Sequence, residues 1–260
     1  MTDIWHADSY ATFLDLRTKV AKDLLFAIPD TFSPRTVYDL GCGPGNSTVL
    51  LTERWPQATV IGMDSSEQML NKARELYPDT TFIAEDIADF APAEPVDCIF
   101  SNAALQWLDH HDVLMPRLLS FLKPGGFLAI EIPNNYHCPS HQVTIRLLDQ
   151  EPKWRHLLGA LRYGYLNEPF YNPYAHYDLF AAAKQVQLWQ TDYLQEMPNH
   201  QAIFAWVQGT GLRPVLTKMT ASDQVEFEKR YVAAIAAEYP VQKNGKVLLG
   251  YKRLFIVASV

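Results

Sequence analysis

The sequence predicts an α/β fold built on a seven-stranded, mostly parallel sheet, for three reasons. Short β-branched or apolar runs alternate with helical patterns through the first half, as in a sheet assembled from strand-helix-strand units. The first run leads into a glycine-rich turn, VYDLGCGPGNST from Val37 to Thr48, at the place where open α/β sheets receive ligands. The 260 residues, 48% of them hydrophobic, suffice for one large core.

Taken in order, the candidate strands are Thr36 to Leu40, Thr59 to Met63, Thr81 to Ala84, Val96 to Ser101 and Gly126 to Ile132. Asn46 or Ser47 can cap the helix after the first strand, and Trp55-Pro56 stops it. Ser65-x-x-Gln68 has the form of a capping box, so the next helix is expected to begin at Asp64-Ser65. Lys123-Pro124-Gly125-Gly126 is expected to end the fourth crossover helix. Beyond Ile132 the alternation gives way to a stretch rich in Pro, Asn, Tyr and His through about Tyr177, with helical pieces near Val143 to Gln150 and Trp154 to Leu161. Its many aromatics read as an insertion rather than a linker. Val186 to Tyr193 alternates as a strand. Thr220-x-x-Asp223 is a capping box opening an amphipathic helix from Ala221 to Glu238, and Leu254 to Ser259 is an apolar final strand.

Composition excludes several function classes. A formal charge of -7 and a pI near 5.6 oppose a nucleic-acid surface, which needs clustered Lys and Arg. The start, MTDIWHADSY, lacks the basic and apolar regions of a secretory signal, and apolar runs fall short of the ~18 residues of a spanning helix. Cys42, Cys98 and Cys138 show no Cys-x-x-Cys spacing. A cytoplasmic protein with reduced thiols, no membrane partner and no nucleic-acid partner is expected. Asp109-His110-His111-Asp112, and His137, Cys138 and His141, invite a metal, but Pro139 interrupts the helical pairing convergent ligands would need, so no metal is expected. Tyr239 and Lys243 have the spacing of a dehydrogenase pair, which Pro240 breaks.

The turn carries Gly41, Gly43 and Gly45 as Gly-x-Gly-x-Gly, whereas a dinucleotide turn is Gly-x-Gly-x-x-Gly. Asp39, two residues before the first glycine, would repel a pyrophosphate but suits a ligand bearing an ammonium group, and S-adenosylmethionine has one. Asp64 closes the second strand, where an acid can accept ribose hydroxyls. Asp86-Ile87, after the third strand, offers an acid for the adenine amine and an apolar side chain for its face. For any one of these acids, helix capping or a solvated turn is the alternative. Three on successive strand ends make a much stronger signal than the glycines alone.

The stretches DLGCGPGNST, MDSSEQML, AEDI and NAALQW resemble the successive motifs of the class I S-adenosylmethionine-dependent methyltransferases. MPNHQAIFAWVQGTGLRP, EKRY, EYPVQKNG and RLFIVA resemble the members of that family that esterify a small tricarboxylic acid. The resemblance runs from Trp5 to Ala258 and departs in the insertion around Asn134 to Tyr177, which is longer and more aromatic. It implies a Rossmann-like seven-stranded sheet with an antiparallel last strand, in one domain spanning 1-260, with 133-180 and 194-250 as insertions forming a helical cap on the acceptor side. It implies S-adenosylmethionine as cofactor and S-adenosylhomocysteine as product. The cofactor contacts it implies are Asp39, Gly41, Gly43, Gly45, Asp64, Ser65, Met69, Asp86, Ile87, Asn102, Ala103 and Trp107.

Methyl transfer from a sulfonium is an in-line displacement, so the protein's work is alignment and exclusion of water. A carboxylate acceptor, which ordinarily titrates near pH ~4, is already ionised and needs no general base. The acceptor site should therefore hold cations and hydrogen-bond donors, with Arg favoured for its planar fork. The candidates are Arg213, which follows a Thr-Gly-Leu turn read as a loop, then Arg253, His200 and Trp206, with Tyr10, Tyr171 and Tyr174 as hydroxyl donors. The alternatives are a salt bridge for each arginine, capping or packing for His200, and a core position for Trp206. Trp5, Tyr10 and Phe13 can form a flap over the cofactor or simply dock a terminal helix. Two other readings stay open: the same fold and cofactor acting on another carboxylate or on a phenol, which would need His200 as base, and a non-catalytic cofactor-binding module. A monomer is favoured.

Overall fold

The computed structural model describes residues 14–161 and 172–260. The first unit begins with α1 (Leu14–Phe26), followed by β1 (Thr36–Leu40), α2 (Asn46–Arg54), β2 (Thr59–Asp64), α3 (Glu67–Leu76), β3 (Thr81–Ala84), β4 (Val96–Asn102), α4 (His111–Ser120) and β5 (Leu122–Pro133). Then come α5 (Pro139–Gln150), α6 (Pro173–Asp178), β6 (Gln185–Met197), α7 (His200–Gln208), α8 (Arg213–Leu216), α9 (Ala221–Glu238) and β7 (Val247–Ser259). Short 3-10 helices lie at Leu105–Trp107 and Arg155–Ala160.

The seven strands form one sheet in the order β3-β2-β1-β4-β5-β7-β6. The pairs β1 with β2, β1 with β4, β2 with β3 and β4 with β5 are parallel. Strand β7 runs antiparallel to both neighbours. Opposite β5, Gly125 donates to Val260 and Asn134 to Lys252, so the partner number falls as β5 rises. Opposite β6, Lys184 donates to Ser259, Trp189 stacks on Phe255, and Tyr193 stacks on Tyr251. Reversal between β4 and β1, which lie side by side in the sheet's middle, makes the topological switch point at which open α/β sheets bind ligands.

Two compact units divide the chain. One holds Met1–Ile132, Pro173–Trp189 and Leu254–Val260, the other Pro133–Asn172 and Gln190–Arg253. The first is organised by the buried strand centres Val37, Leu40, Cys98, Ile99, Leu128 and Ile130. In the second, α9 turns Phe227, Tyr231 and Ile235 onto one face at four-residue spacing, and all three are fully buried. The Thr220 hydroxyl accepts from the Asp223 N–H at the start of that helix, as its capping box requires.

Four local expectations are corrected. Helix α2 is capped by Gly45, with Asn46 already helical, and Ser47 turns its hydroxyl to Asp39 instead. Helix α3 begins one residue later than expected, because Ser66, rather than Ser65, accepts from the Met69 N–H. The Lys123–Gly126 segment does not end a helix: α4 stops at Ser120, and Leu122 already pairs with Val96. Between there and the Cys98–Phe127 pair, β5 advances five residues against two on β4, so the Pro-Gly-Gly stretch bulges out of the strand. Arg213 opens the short helix α8 rather than lying in a loop.

Candidate active site

The glycine turn after β1 is fastened chiefly by backbone. The Gly41 and Cys42 N–H groups both donate to the Met63 carbonyl, at 2.7 and 3.0 Å, and the Gly43 N–H donates to Asp64 Oδ2 at 2.8 Å. Gly41, Gly43 and Gly45 all have positive φ, at 72°, 55° and 87°. A side chain on Gly41 would place its Cβ 2.2 Å from that of Ala104, which no substitution could tolerate in place. A Cβ on Gly43 would meet nothing within 4 Å, so the middle of the turn faces open space.

Asp39 lies beneath this turn, fully buried at 0% exposure. Its Oδ2 accepts from the Ser47 and Thr48 hydroxyls at 2.7 and 2.6 Å, while Oδ1 has no hydrogen-bond partner among the described residues. Burial raises its pKa to about 6 against the lowering effect of those two hydroxyls, with Asp64 adding to the rise. Sequence reasoning missed these two partners of Asp39; their signal was a pair of hydroxyls in the first helical turn, eight and nine residues after an acid.

At the end of β2, Asp64 accepts the Ser66 N–H through Oδ1 at 2.9 Å, so its carboxylate braces both the glycine turn and the start of α3. Ser65 is exposed, whereas Met69 is buried on α3. After β3, Asp86 accepts the Ala88 N–H at 2.9 Å, and Ile87 is buried with its Cδ1 3.4 Å from the point a Gly41 Cβ would occupy. At the end of β4 the Asn102 Oδ1 is buried without a partner among the described residues. Ala103 follows with φ 55°, and Trp107, half-buried, closes the 3-10 turn. All twelve proposed cofactor residues belong to the first unit, and the structure brings the ends of β1, β2, β3 and β4 together around the turn.

The proposed acceptor residues are dispersed differently. In the second unit, His200 is the first residue of α7 and its Nε2–H donates to the Tyr239 carbonyl at 2.7 Å, while Asn199 supplies the cap. Trp206 is buried, with its ring 5.7 Å from that of Tyr251. Arg213 is half-buried. Arg253, on β7, is 9% exposed and sets its guanidinium 5.2 Å from the Tyr251 ring centre. Burial and the nearby Arg253 hold His141 neutral, its pKa pushed down to about 3. Tyr174 belongs to the first unit and is 83% exposed. Tyr10 and Tyr171, with Trp5 and Phe13, lie outside the described residues.

The residues fit S-adenosylmethionine. At Asp39 a buried carboxylate oxygen that has no hydrogen-bond partner among the described residues offers counter-charge to a cationic ligand. Open space at Gly43 leaves room for it, and acids at the ends of β2 and β3 can accept its hydroxyl and amine protons. Among the described residues no group of three or more His, Cys, Asp and Glu could hold a metal ion. No helix among them is long and apolar enough to cross a membrane.

A family model described as a methyltransferase domain matches residues 37–126, from β1 into β5. The solved structure of YcgJ from Bacillus subtilis shares the fold, with a TM-score of 0.57 over 98% of each chain at 15% identity. The domain match, together with the full-length relatives that follow, defines the class: an S-adenosylmethionine-dependent methyltransferase. Similarity extends well beyond that domain. The chain is 46% identical to the trans-aconitate 2-methyltransferase of Azoarcus sp. strain BH72 over 98% of both chains. It is 42% identical to that of Escherichia coli K12 over 98% of this chain and 97% of the other. The chain belongs to the trans-aconitate 2-methyltransferase family.

Proposed function

We propose that the protein esterifies one carboxylate of trans-aconitate, yielding the monomethyl ester and S-adenosylhomocysteine. The observation that carries this reading is the full-length match to relatives of that name, which covers the second unit as well as the cofactor half. When bound, the cofactor supplies an electrophilic methyl group on a sulfonium.

The chain's own residues do the rest by binding and orientation. Asp39 answers the ligand's positive charge, Asp64 accepts the ribose hydroxyls, and Asp86 and Ile87 receive the adenine, with Met69, Ser65 and Trp107 beside it. The Asn102–Ala103 backbone faces the reacting sulfur. Arg213 and Arg253 hold the acceptor's non-reacting carboxylates, assisted by His200, Trp206, Tyr10, Tyr171 and Tyr174. The reacting carboxylate is ionised at neutral pH, so no general base is needed. In keeping with that, His200 commits its Nε2 proton to a backbone carbonyl instead of standing free as the base a phenol would demand. The second unit acts as the acceptor-side cap of a single catalytic domain, and the enzyme works as a cytoplasmic monomer on a small anionic acid.

Methyl transfer from labelled S-adenosylmethionine to trans-aconitate, cis-aconitate, citrate, isocitrate and several phenolic acids tests the reading. Strong preference for trans-aconitate is expected; transfer to the phenols alone, or to none of the acids, would refute it.

A further inference from the structure

Ala103 is one of two non-glycine residues with positive φ among those described, a conformation that costs an L-residue about 1 kcal/mol or more. Both of its backbone polar groups are tied. Its N–H donates to the Glu131 carbonyl at 3.0 Å, and its carbonyl accepts from Gln106 Nε2 at 2.6 Å. The methyl group of the next residue, Ala104, lies 2.2 Å from the point a Gly41 side chain would fill. The left-handed turn at Ala103 thus governs how closely the end of β4 approaches the cofactor turn. Gln106 is only 4% exposed, and its Oε1 has no hydrogen-bond partner among the described residues. An apolar side chain of the same length would fill that space without burying an unmatched oxygen; what the amide adds is its tether to Ala103.

We propose that Gln106 is a positioning residue for methyl transfer: its amide clamps the Ala103 carbonyl, keeps that residue left-handed and sets the Ala104 methyl against Gly41, fixing the width of the cofactor turn. The clamp acts on cofactor binding and so rests on the assignment of this turn to S-adenosylmethionine.

Titration calorimetry of S-adenosylhomocysteine into the full chain tests it without reference to the acceptor. Gln106→Met keeps the length and removes the tether, so affinity should fall about fivefold, the worth of a hydrogen bond. Ala103→Gly removes the Cβ that opposes positive φ. Added to Gln106→Met it should recover most of the loss, and its gain should be larger there than in the wild-type background. No loss in Gln106→Met, or an equal gain in both backgrounds, overturns the clamp.

Should that variant not fold, Gln106→Glu serves. A protonated carboxyl still donates to the Ala103 carbonyl and an ionised one cannot, and burial raises its pKa toward neutrality. Its affinity relative to wild type should therefore rise as pH is lowered from ~8 to ~6, within the range such burial reaches; parallel profiles overturn the proposal. Wild-type protein that binds no S-adenosylhomocysteine would instead remove the cofactor assignment, and the clamp with it.

Discussion

The glycine turn and the second unit are built by opposite means. Around Gly41, Gly43 and Gly45 the surface is bare backbone, held by N–H groups that donate to the Met63 carbonyl and the Asp64 carboxylate. In the second unit the candidate groups are long side chains resting on neighbours, His200 on the Tyr239 carbonyl and Arg253 over the Tyr251 ring. The first region is therefore damaged by atoms that are added, the second by atoms that are taken away.

The largest effect should come from adding one methyl. Gly41→Ala brings a Cβ to 2.2 Å from Ala104 at positive φ, and overpacking plus strain should lower unfolding stability by about 3 kcal/mol or more. Gly43→Ala, facing open space, should cost folding only about 1 kcal/mol of strain while still abolishing S-adenosylhomocysteine binding. Urea unfolding beside calorimetry separates the two, and similar stability losses at both positions would break the comparison.

Next is the charge beneath the turn. Asp39 titrates at about 6 in the folded protein against 3.8 for an ordinary aspartate, so the folded state holds this proton more tightly than the unfolded chain does. Its contribution to stability is full below about pH 4 and is lost as pH rises through 6, a fall of about 3 kcal/mol. Asp39→Asn should remove this fall from the pH profile of unfolding; an unchanged profile would contradict the burial of an ionisable group there.

For the second unit, Arg213→Ala should raise the KM for trans-aconitate by about 30-fold or more, the scale of a lost charge-assisted pair, with S-adenosylhomocysteine affinity retained. Unchanged turnover would remove Arg213 from the acceptor site. The smallest effect is a control in the same unit: Thr220→Ala deletes the cap of α9 and should cost about 1 kcal/mol of stability without touching either affinity.

How much could be read in advance follows the same division. The strand-turn-helix at Val37 to Thr48, the acids at the strand ends and the start of α9 are local patterns, and each was legible because neighbours in sequence make the relevant bonds. What escaped depends on backbone geometry and register, which residue types alone do not fix even where the partners are two or three positions apart. The choice of Ser66 over Ser65 turns on Asp64 bracing the chain between the two. The bulge at Lys123–Gly126 exists because Leu122 is drawn into register with Val96. Gln106 looked like one more letter of NAALQW until its amide was seen against Ala103.

Cys42 sits within the same turn, with its sulfur hydrogen-bonded to the Gly43 carbonyl at 3.6 Å and its side chain packed among Leu70, Ala73 and Phe82. Burial, reinforced by the negative charges of Asp39 and Asp64, pushes its pKa well above that of an ordinary thiol. A methyl donor is an alkylating agent, and a thiolate is the form of cysteine that attacks one. Burial first, and the two acids after it, therefore keep the thiol of this turn protonated, so a sulfur within the glycine turn is held in its less nucleophilic form.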